Sequence, residues 1–193
     1  MKTFIIERNY LNDNGIEPAW YFLPDSALCN AGKPFFIPEF AEETEAFVVP
    51  VLRISRLGKS IASRFAERYF TEVAPAIHFR APKLRKQLLD QGLPPDMAQS
   101  FDRSLIIGDF YPLSKIISDT PLTLLLNDSP EDEWKQDNLN YSIGDILSRV
   151  SAFNTMKMGD YLIPSLSKGV RIKIGDKLEV KSGDDSLLTV LIK

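Results

Sequence analysis

Apolar residues along this chain come in short runs broken by turn residues, and each run predicts a short element. Residues 3–6 read as a brief strand. Residues 10–32 are rich in turn formers, with Asn12-Asp13-Asn14-Gly15, Pro18, Pro24 and Gly32. Residues 47–54 are β-branched and apolar, which predicts a strand. Pro50 inside that run cannot donate to a ladder, so an edge position or a bulge is expected there. Ile61, Phe65 and Tyr69 recur every four residues and predict a helix over 60–70, and residues 73–79 then read as a strand. Residues 82–92 predict a second helix, opened by Pro82 and closed by Gly92, with Leu84, Leu88 and Leu89 on its buried stripe. Ser142 before Ile143-Gly144-Asp145 is a capping signature for a third helix, whose apolar face would be Ile143, Ile146, Leu147 and Val150. Four strands are expected after it, at 161–163, 170–174, 177–180 and 187–192, with hairpin turns at Gly175-Asp176 and at 182–185. Strands and helices do not alternate as βαβ units, so the pattern predicts a β-rich α+β domain.

Composition narrows the function classes. The 193 residues are 44% hydrophobic and 25% charged, which suits a chain with a real core. The net charge is −3 and no basic run occurs, so no electrostatic footprint for nucleic acid is expected. No apolar run approaches the roughly 20 residues that span a bilayer, and the first residues are too polar for a secretory core. Cys29 is the only cysteine, which excludes an internal disulfide and fits a reducing, cytoplasmic setting. The most restrictive count is the single histidine, His78, which excludes any site that needs two.

The candidate chemistry is sparse. Glu42, Glu43 and Glu45 precede the predicted strand at 47, and in an extended segment Glu43 and Glu45 project to the same side. Such a pair could hold a hard divalent cation with further oxygen ligands, or form a solvated acidic loop. His78, between Ile77 and Phe79, could be a general base, a lone metal ligand, or a satisfied core histidine. Asp128, Glu131, Asp132 and Glu133 surround Pro130 and Trp134 and read as an exposed turn. Cys29 has only Lys33 nearby to lower its pKa and reads as inert. No glycine-rich phosphate loop is present.

The order of short motifs resembles the fumarylacetoacetate hydrolase family over nearly the whole chain, especially its short bacterial hydratase, isomerase and acylpyruvate hydrolase members. Ile5-Ile6-Glu7-Arg8-Asn9-Tyr10 resembles the strand and GRNY of that family. Phe22-Leu23-Pro24 and the Gly32–Pro38 stretch resemble its FLKP and GKPFxIP segments. Arg56-Leu57-Gly58-Lys59 resembles the stretch before its first helix. Gly92-Leu93-Pro94 and Ala98-Gln99-Ser100-Phe101-Asp102 resemble its GxPW turn and AKxFD motif, and Gly108 lies in its PxG segment. Met158-Gly159-Asp160-Tyr161-Leu162-Ile163 and the segment from Gly175-Asp176 to Val180 resemble its PGDII and GDxxxV motifs. The resemblance implies an α+β, β-rich roll or mixed β-sandwich with short peripheral helices. It also implies one domain over 1–193 with 1–40 as a cap-like segment, and a homodimer.

Family enzymes hold Mg²⁺ or Mn²⁺ with two glutamates of an ExE strand and a later aspartate, and the metal stabilises an enolate of a 2-oxo acid or 1,3-dicarbonyl. Carried over position by position, the glutamates fall on Phe47 and Val49 and the aspartate on His78. The AKxFD lysine falls on Gln99, followed by Asp102. The TGTP loop becomes Pro164-Ser165-Leu166-Ser167, and the N-terminal catalytic histidine has no counterpart. Apolar side chains offer a hard cation no donors. The resemblance therefore implies a degenerate metal site and no cofactor, in a non-catalytic or repurposed protein with a small-metabolite ligand. Its pocket would be lined by Phe47, Val49, His78, Gln99, Asp102 and Leu166. The alternative is an active Mg²⁺- or Mn²⁺-dependent hydrolase, isomerase or decarboxylase of 2-oxo acid or acylpyruvate substrates, with Glu43, Glu45 and His78 as ligands.

Overall fold

A computed structural model of the chain describes residues 1–10, 17–117 and 120–193, so the expected turn at Asn12–Gly15 lies outside the described residues. The strands are β1 (Thr3–Glu7), β2 (Ala19–Leu23), β3 (Leu28–Asn30), β4 (Thr44–Ile54), β5 (Phe70–Arg80), β6 (Leu105–Ile107) and β7 (Tyr111–Pro112). They continue with β8 (Leu122–Leu126), β9 (Ser129–Trp134), β10 (Tyr161–Ile163), β11 (Val170–Ile172), β12 (Lys177–Ser182) and β13 (Asp185–Leu191). The α-helices are α1 (Pro82–Asp90), α2 (Leu113–Ile116) and α3 (Ile143–Phe153). The architecture is the β-rich α+β arrangement that the pattern predicts. One sheet runs β2-β1-β10-β4-β5-β6-β3, with β11 added to β4 and β7 to β5, and a second runs β13-β12-β8-β9.

The long strands β4 and β5 form the spine of the first sheet, and alternation along them separates two cores. Val48, Leu52, Ile54, Ile77 and Phe79 pack with Leu122, Leu124, Leu178, Val180 and Val190 of the second sheet and with Ile146 and Leu147 of α3. The opposite face carries Phe47, Val49, Val51, Ala74 and Ala76, which pack with Leu105, Ile107 and Ile163. A sheet buried on both faces explains why residues 47–54 read as a continuous apolar run.

Pro50 is not at an edge, because β4 is central. It pairs with Pro75 on β5, and on its other side it falls between the β10 partners of Leu52 and Arg53 and the β11 partners of Thr44–Ala46. The Pro75 carbonyl accepts from Gly108 N–H at 2.9 Å, so its polar edge points away from β4. The two prolines thus meet at a pair that exchanges no backbone hydrogen bonds, where a missing N–H costs the β4–β5 ladder nothing.

Other expectations shift for identifiable reasons. Residues 60–70 form a 3₁₀ stretch, Ser63–Tyr69, because the chain enters β5 directly at Phe70. On α1 only Leu88 is buried, Leu84 is half-buried and Leu89 is exposed, since the helix packs through one narrow edge. Gly175-Asp176 joins β11 to β12, which pair with different strands, whereas 182–185 does close the β12–β13 hairpin. The turn-rich stretch at 10–32 contains β2 and β3, so segment 1–40 supplies three strands to the long sheet. Of the acidic residues at 128–133, Asp128, Glu131 and Glu133 are exposed as expected, but only Asp128 lies in the turn and Asp132 is buried. Asn127 and Asp128, both at positive φ, form the two-residue turn of the β8–β9 hairpin, and Asp132 and Trp134 point inward. The α3 cap is as predicted, with Ser142 Oγ accepting from Asp145 N–H at 3.1 Å. The Ser142 hydroxyl, with that of Ser63, holds the Asp145 carboxyl below its ordinary range.

Candidate functional site

β4 and β5 place Glu45 opposite Arg80, Phe47 opposite His78 and Val49 opposite Ala76, so these side chains share one face of the sheet. At one end of this face lies a cleft of about 560 Å³, lined by Glu7, Arg8, Phe47, Arg80, Arg85 and Lys168 among others. Phe47 forms one wall. Its ring sits about 5.2 Å from the Arg80 guanidinium and 6.4 Å from the His78 ring centroid. On the other side Gly169, at φ +86°, comes so close that a Cβ there would lie 2.4 Å from the Phe47 ring.

His78 is fully buried and both of its ring nitrogens are engaged. Nδ1 lies 2.9 Å from the Ser104 carbonyl, which can only accept, so Nδ1 carries the proton. Nε2 therefore presents its lone pair to the Tyr21 hydroxyl at 2.8 Å, and the Tyr21 oxygen accepts from Arg80 Nη2 at 3.1 Å. This chain of donors fixes the tautomer and leaves no nitrogen free for a metal. Burial, and then the Arg80 charge, hold the imidazole well below its ordinary pKa, so it is neutral at pH 7. Burial also pushes the Tyr21 phenol up to about 12.

Arg80 is 8% exposed and forms an ion pair with Glu7, at the end of β1. Burial alone would lower its pKa, but the neighbouring Tyr21 and Glu7 hold the guanidinium above its ordinary value. Arg85, on α1, reaches both Glu7 carboxylate oxygens at 3.2 Å and donates to Gln99 Oε1 at 3.1 Å. Asn9 is buried and ties the neighbouring segments together. Its side chain donates to the Tyr141 and Pro164 carbonyls and accepts from Tyr141 N–H at 2.7 Å. The 164–169 loop is anchored again from β9, where the Asp132 carboxylate accepts from Ser167 Oγ at 2.5 Å, Gly169 N–H at 2.8 Å and Lys168 N–H at 3.3 Å. Burial raises the Asp132 carboxyl, against the pull of these donors.

The structure brings Phe47, Arg80 and Leu166 into the cleft wall, sets His78 directly behind Phe47, and places Gln99 behind Arg85. Val49 is buried farther along the same face, and Asp102 is exposed in a turn. Glu43 is paired with Arg171 at 3.3 Å, and half-buried Glu45 lies opposite Arg80 on β5 and Arg171 on β11. Among the described residues no group of three or more His, Cys, Asp or Glu side chains is placed to hold a metal ion. Two hydrocarbon side chains and an imidazole with both nitrogens bonded are a poor donor set for a hard divalent cation, so these residues do not fit Mg²⁺ or Mn²⁺. Glu7, Tyr21, Arg80, Arg85 and Lys168 were not marked by any sequence motif as functional. Arg80 lies two residues after His78 on a strand, and that spacing was the available signal for a shared face.

No protein-family profile matches the chain. In sequence it is 28% identical over 180 residues to the mitochondrial oxaloacetate tautomerase FAHD1 of Mus musculus, covering 92% of this chain and 80% of that protein. It is 23% identical over 177 residues to the oxaloacetate tautomerase YcgM of Escherichia coli K12, covering 90% and 81%. In fold it matches the fumarylpyruvate hydrolase of Pseudomonas aeruginosa, crystallised with Mn²⁺ and pyruvate, at a TM-score of 0.92 and 18% identity, over 100% of this chain and 89% of that one. It also matches a protein assigned to the fumarylacetoacetate hydrolase family from Yersinia pestis CO92 at a TM-score of 0.91 and 20% identity, over 100% and 92%. No helix among the described residues is long and apolar enough to cross a membrane.

Proposed function

We propose that this chain, which shares sequence and fold with the fumarylacetoacetate hydrolase family, is a repurposed member that binds a small metabolite without a divalent ion. The observation that carries this reading is the Phe47–His78 cross-strand pair. The resemblance assigns metal-binding carboxylates to those two positions and to Val49. Here they hold a phenyl ring, a neutral imidazole with both nitrogens bonded, and a buried isopropyl group. Without a metal to polarise the substrate, enolate chemistry would lose its main source of charge stabilisation. His78 offers no free base in exchange. The cleft, about 560 Å³ and bordered by Leu166, Ser167 and Lys168, suits binding. The homodimer that the resemblance implies is carried forward with this reading, and sedimentation velocity tests it.

A second reading is an active Mg²⁺- or Mn²⁺-dependent enzyme of the family type. The names of the sequence relatives favour it, all of them oxaloacetate tautomerases, as does the Mn²⁺-bound fold neighbour. Glu43, Glu45 and His78 would then have to regroup around the ion, giving up the Glu43–Arg171 pair and the Tyr21–His78 bond.

Calorimetric titration with Mn²⁺, together with metal analysis of protein purified without chelator, separates the two. The expected result is no stoichiometric site at micromolar affinity. One equivalent of tightly bound Mn²⁺, accompanied by Mn²⁺-dependent interconversion of enol and keto oxaloacetate, would establish the second reading instead.

A further inference from the structure

The cleft gathers Arg8, Arg80, Arg85 and Lys168 around a single lining carboxylate, Glu7, in a chain whose net charge is −3. Four cations against one anion leave the lining at +3. No ion pair is recorded for Arg8 or Lys168 among the described residues, and both lie exposed at the rim. The deeper pair is more telling. Glu7 receives both guanidinium groups, Arg80 through Nη2 and Arg85 through Nη2. Arg80 Nη2 also donates to the Tyr21 hydroxyl, and its Nε is buried with no hydrogen-bond partner. That Nε is closed to the cleft, so the donors a ligand can reach there are those of Arg85, whose side chain is 29% exposed. The planar arginine fork matches the two oxygens of a carboxylate.

From this geometry we infer that Arg80 and Arg85 form a metal-independent receiving site for the carboxylate of a small organic acid, which docks beside Glu7 against the part-exposed Arg85 guanidinium, with the buried Arg80 charge behind it. Arg8 and Lys168 supply attraction at the rim, where the low-dielectric Phe47 and Leu166 walls focus the field. The same two apolar side chains contact the carbon skeleton. The volume of about 560 Å³ suits a metabolite of a few carbons to a dozen or so heavy atoms. The fixed guanidinium supplies the positive charge that the resemblance assigns to a divalent ion. The inference rests on the metal-free reading of the cleft and adds to it the ligand class and the groups that select it.

The test is calorimetric titration of the full chain with sodium pyruvate, sodium succinate and inorganic phosphate, in buffer containing EDTA and with sodium chloride matched throughout. Saturable binding of pyruvate or succinate, at least tenfold weaker in Arg85→Met, is the expected result. Arg85 is half-buried on the outer helix, so this variant keeps the interior intact. Glu7→Gln removes the competing charge and should tighten carboxylate binding severalfold, the opposite of what a merely structural role for Glu7 predicts. The inference is overturned if neither acid binds wild type or Glu7→Gln, if Arg85→Met binds equally well, or if phosphate binds as tightly as the acids. Carboxylate binding that appears only on adding Mn²⁺ would overturn the metal-free reading itself. Absence of carboxylate binding both in EDTA and with Mn²⁺ in its place would sink only the inference.

Discussion

The Tyr21 hydroxyl donates to Nε2 of His78 at 2.8 Å, and with Nδ1 committed to the Ser104 carbonyl the only imidazole in the chain is locked in its neutral form. Its folded pKa is depressed by burial and by Arg80, so the unfolded chain binds the proton more readily than the native one. This contribution to stability is complete above the unfolded value of about 6.5 and is lost as pH falls toward the depressed folded value. Urea denaturation at a series of pH values below 6.5 should therefore show stability falling by up to about 1.4 kcal/mol per pH unit from this group. His78→Gln should flatten that limb of the curve, and an unchanged slope in the variant would contradict the assignment.

The Glu7 carboxylate is shared by Arg80 and Arg85. Glu7→Gln keeps the shape but leaves two guanidinium groups without their counter-charge. A loss of about 1.5–3 kcal/mol is expected, the range for a hydrogen bond to a charged group. The variant should still fold cooperatively, since Arg85 keeps Gln99 and Arg80 keeps Tyr21. Chemical denaturation with an unchanged m-value would confirm it.

Gly169 sits at φ +86° against the face of Phe47, and an added methyl group would lie 2.4 Å from that ring. Gly169→Ala combines backbone strain with a steric clash, so the loop or the ring must move. Destabilisation of about 1–3 kcal/mol is expected. A crystal structure should show Phe47 displaced into the cleft. The corresponding change at Gly92, also at positive φ but with nothing within 4 Å, should cost only the backbone strain.

Asp132 holds the 164–169 loop through Ser167, Lys168 and Gly169. Asp132→Ala leaves those donors unpaired, with an expected loss of about 1–3 kcal/mol. Hydrogen exchange should speed up at the amides of Lys168 and Gly169 while the β4–β5 ladder stays protected. Because burial raises the folded pKa of Asp132, its share of stability declines as pH rises through that folded value, opposite in sign to His78.

Much of the secondary structure was legible because its signals are local. The Ser142 cap, the α1 span opened by Pro82, and the short strands expected at 3–6 and 161–163 follow from signals within a few residues, the first running one residue longer in the structure. The candidate site was legible in part. Phe47 was singled out through the family resemblance and His78 already as the single histidine, and the β4–β5 register shows them to be partners. The errors came where a local pattern met a distant neighbour. Asp132 reads as solvated among its acidic neighbours, yet the 164–169 loop lies over it and supplies its donors. Pro50 reads as an edge marker, yet its missing N–H falls in a gap between two partner strands.

The sequence by itself determined which chemistries were open, since one histidine and one cysteine exclude multi-histidine centres and internal disulfides whatever the fold. It also determined the alternation that sets Phe47, Val49, His78 and Arg80 on consistent faces of their strands. Only the tertiary structure decided that Glu7 meets Arg80 and Arg85, 73 and 78 positions away, and that Tyr21 closes on His78 across 57. Face and period are properties of a few consecutive dihedral angles. The pairing of charges across the cleft depends on strand register and sheet curvature, which are set by packing summed over the whole core.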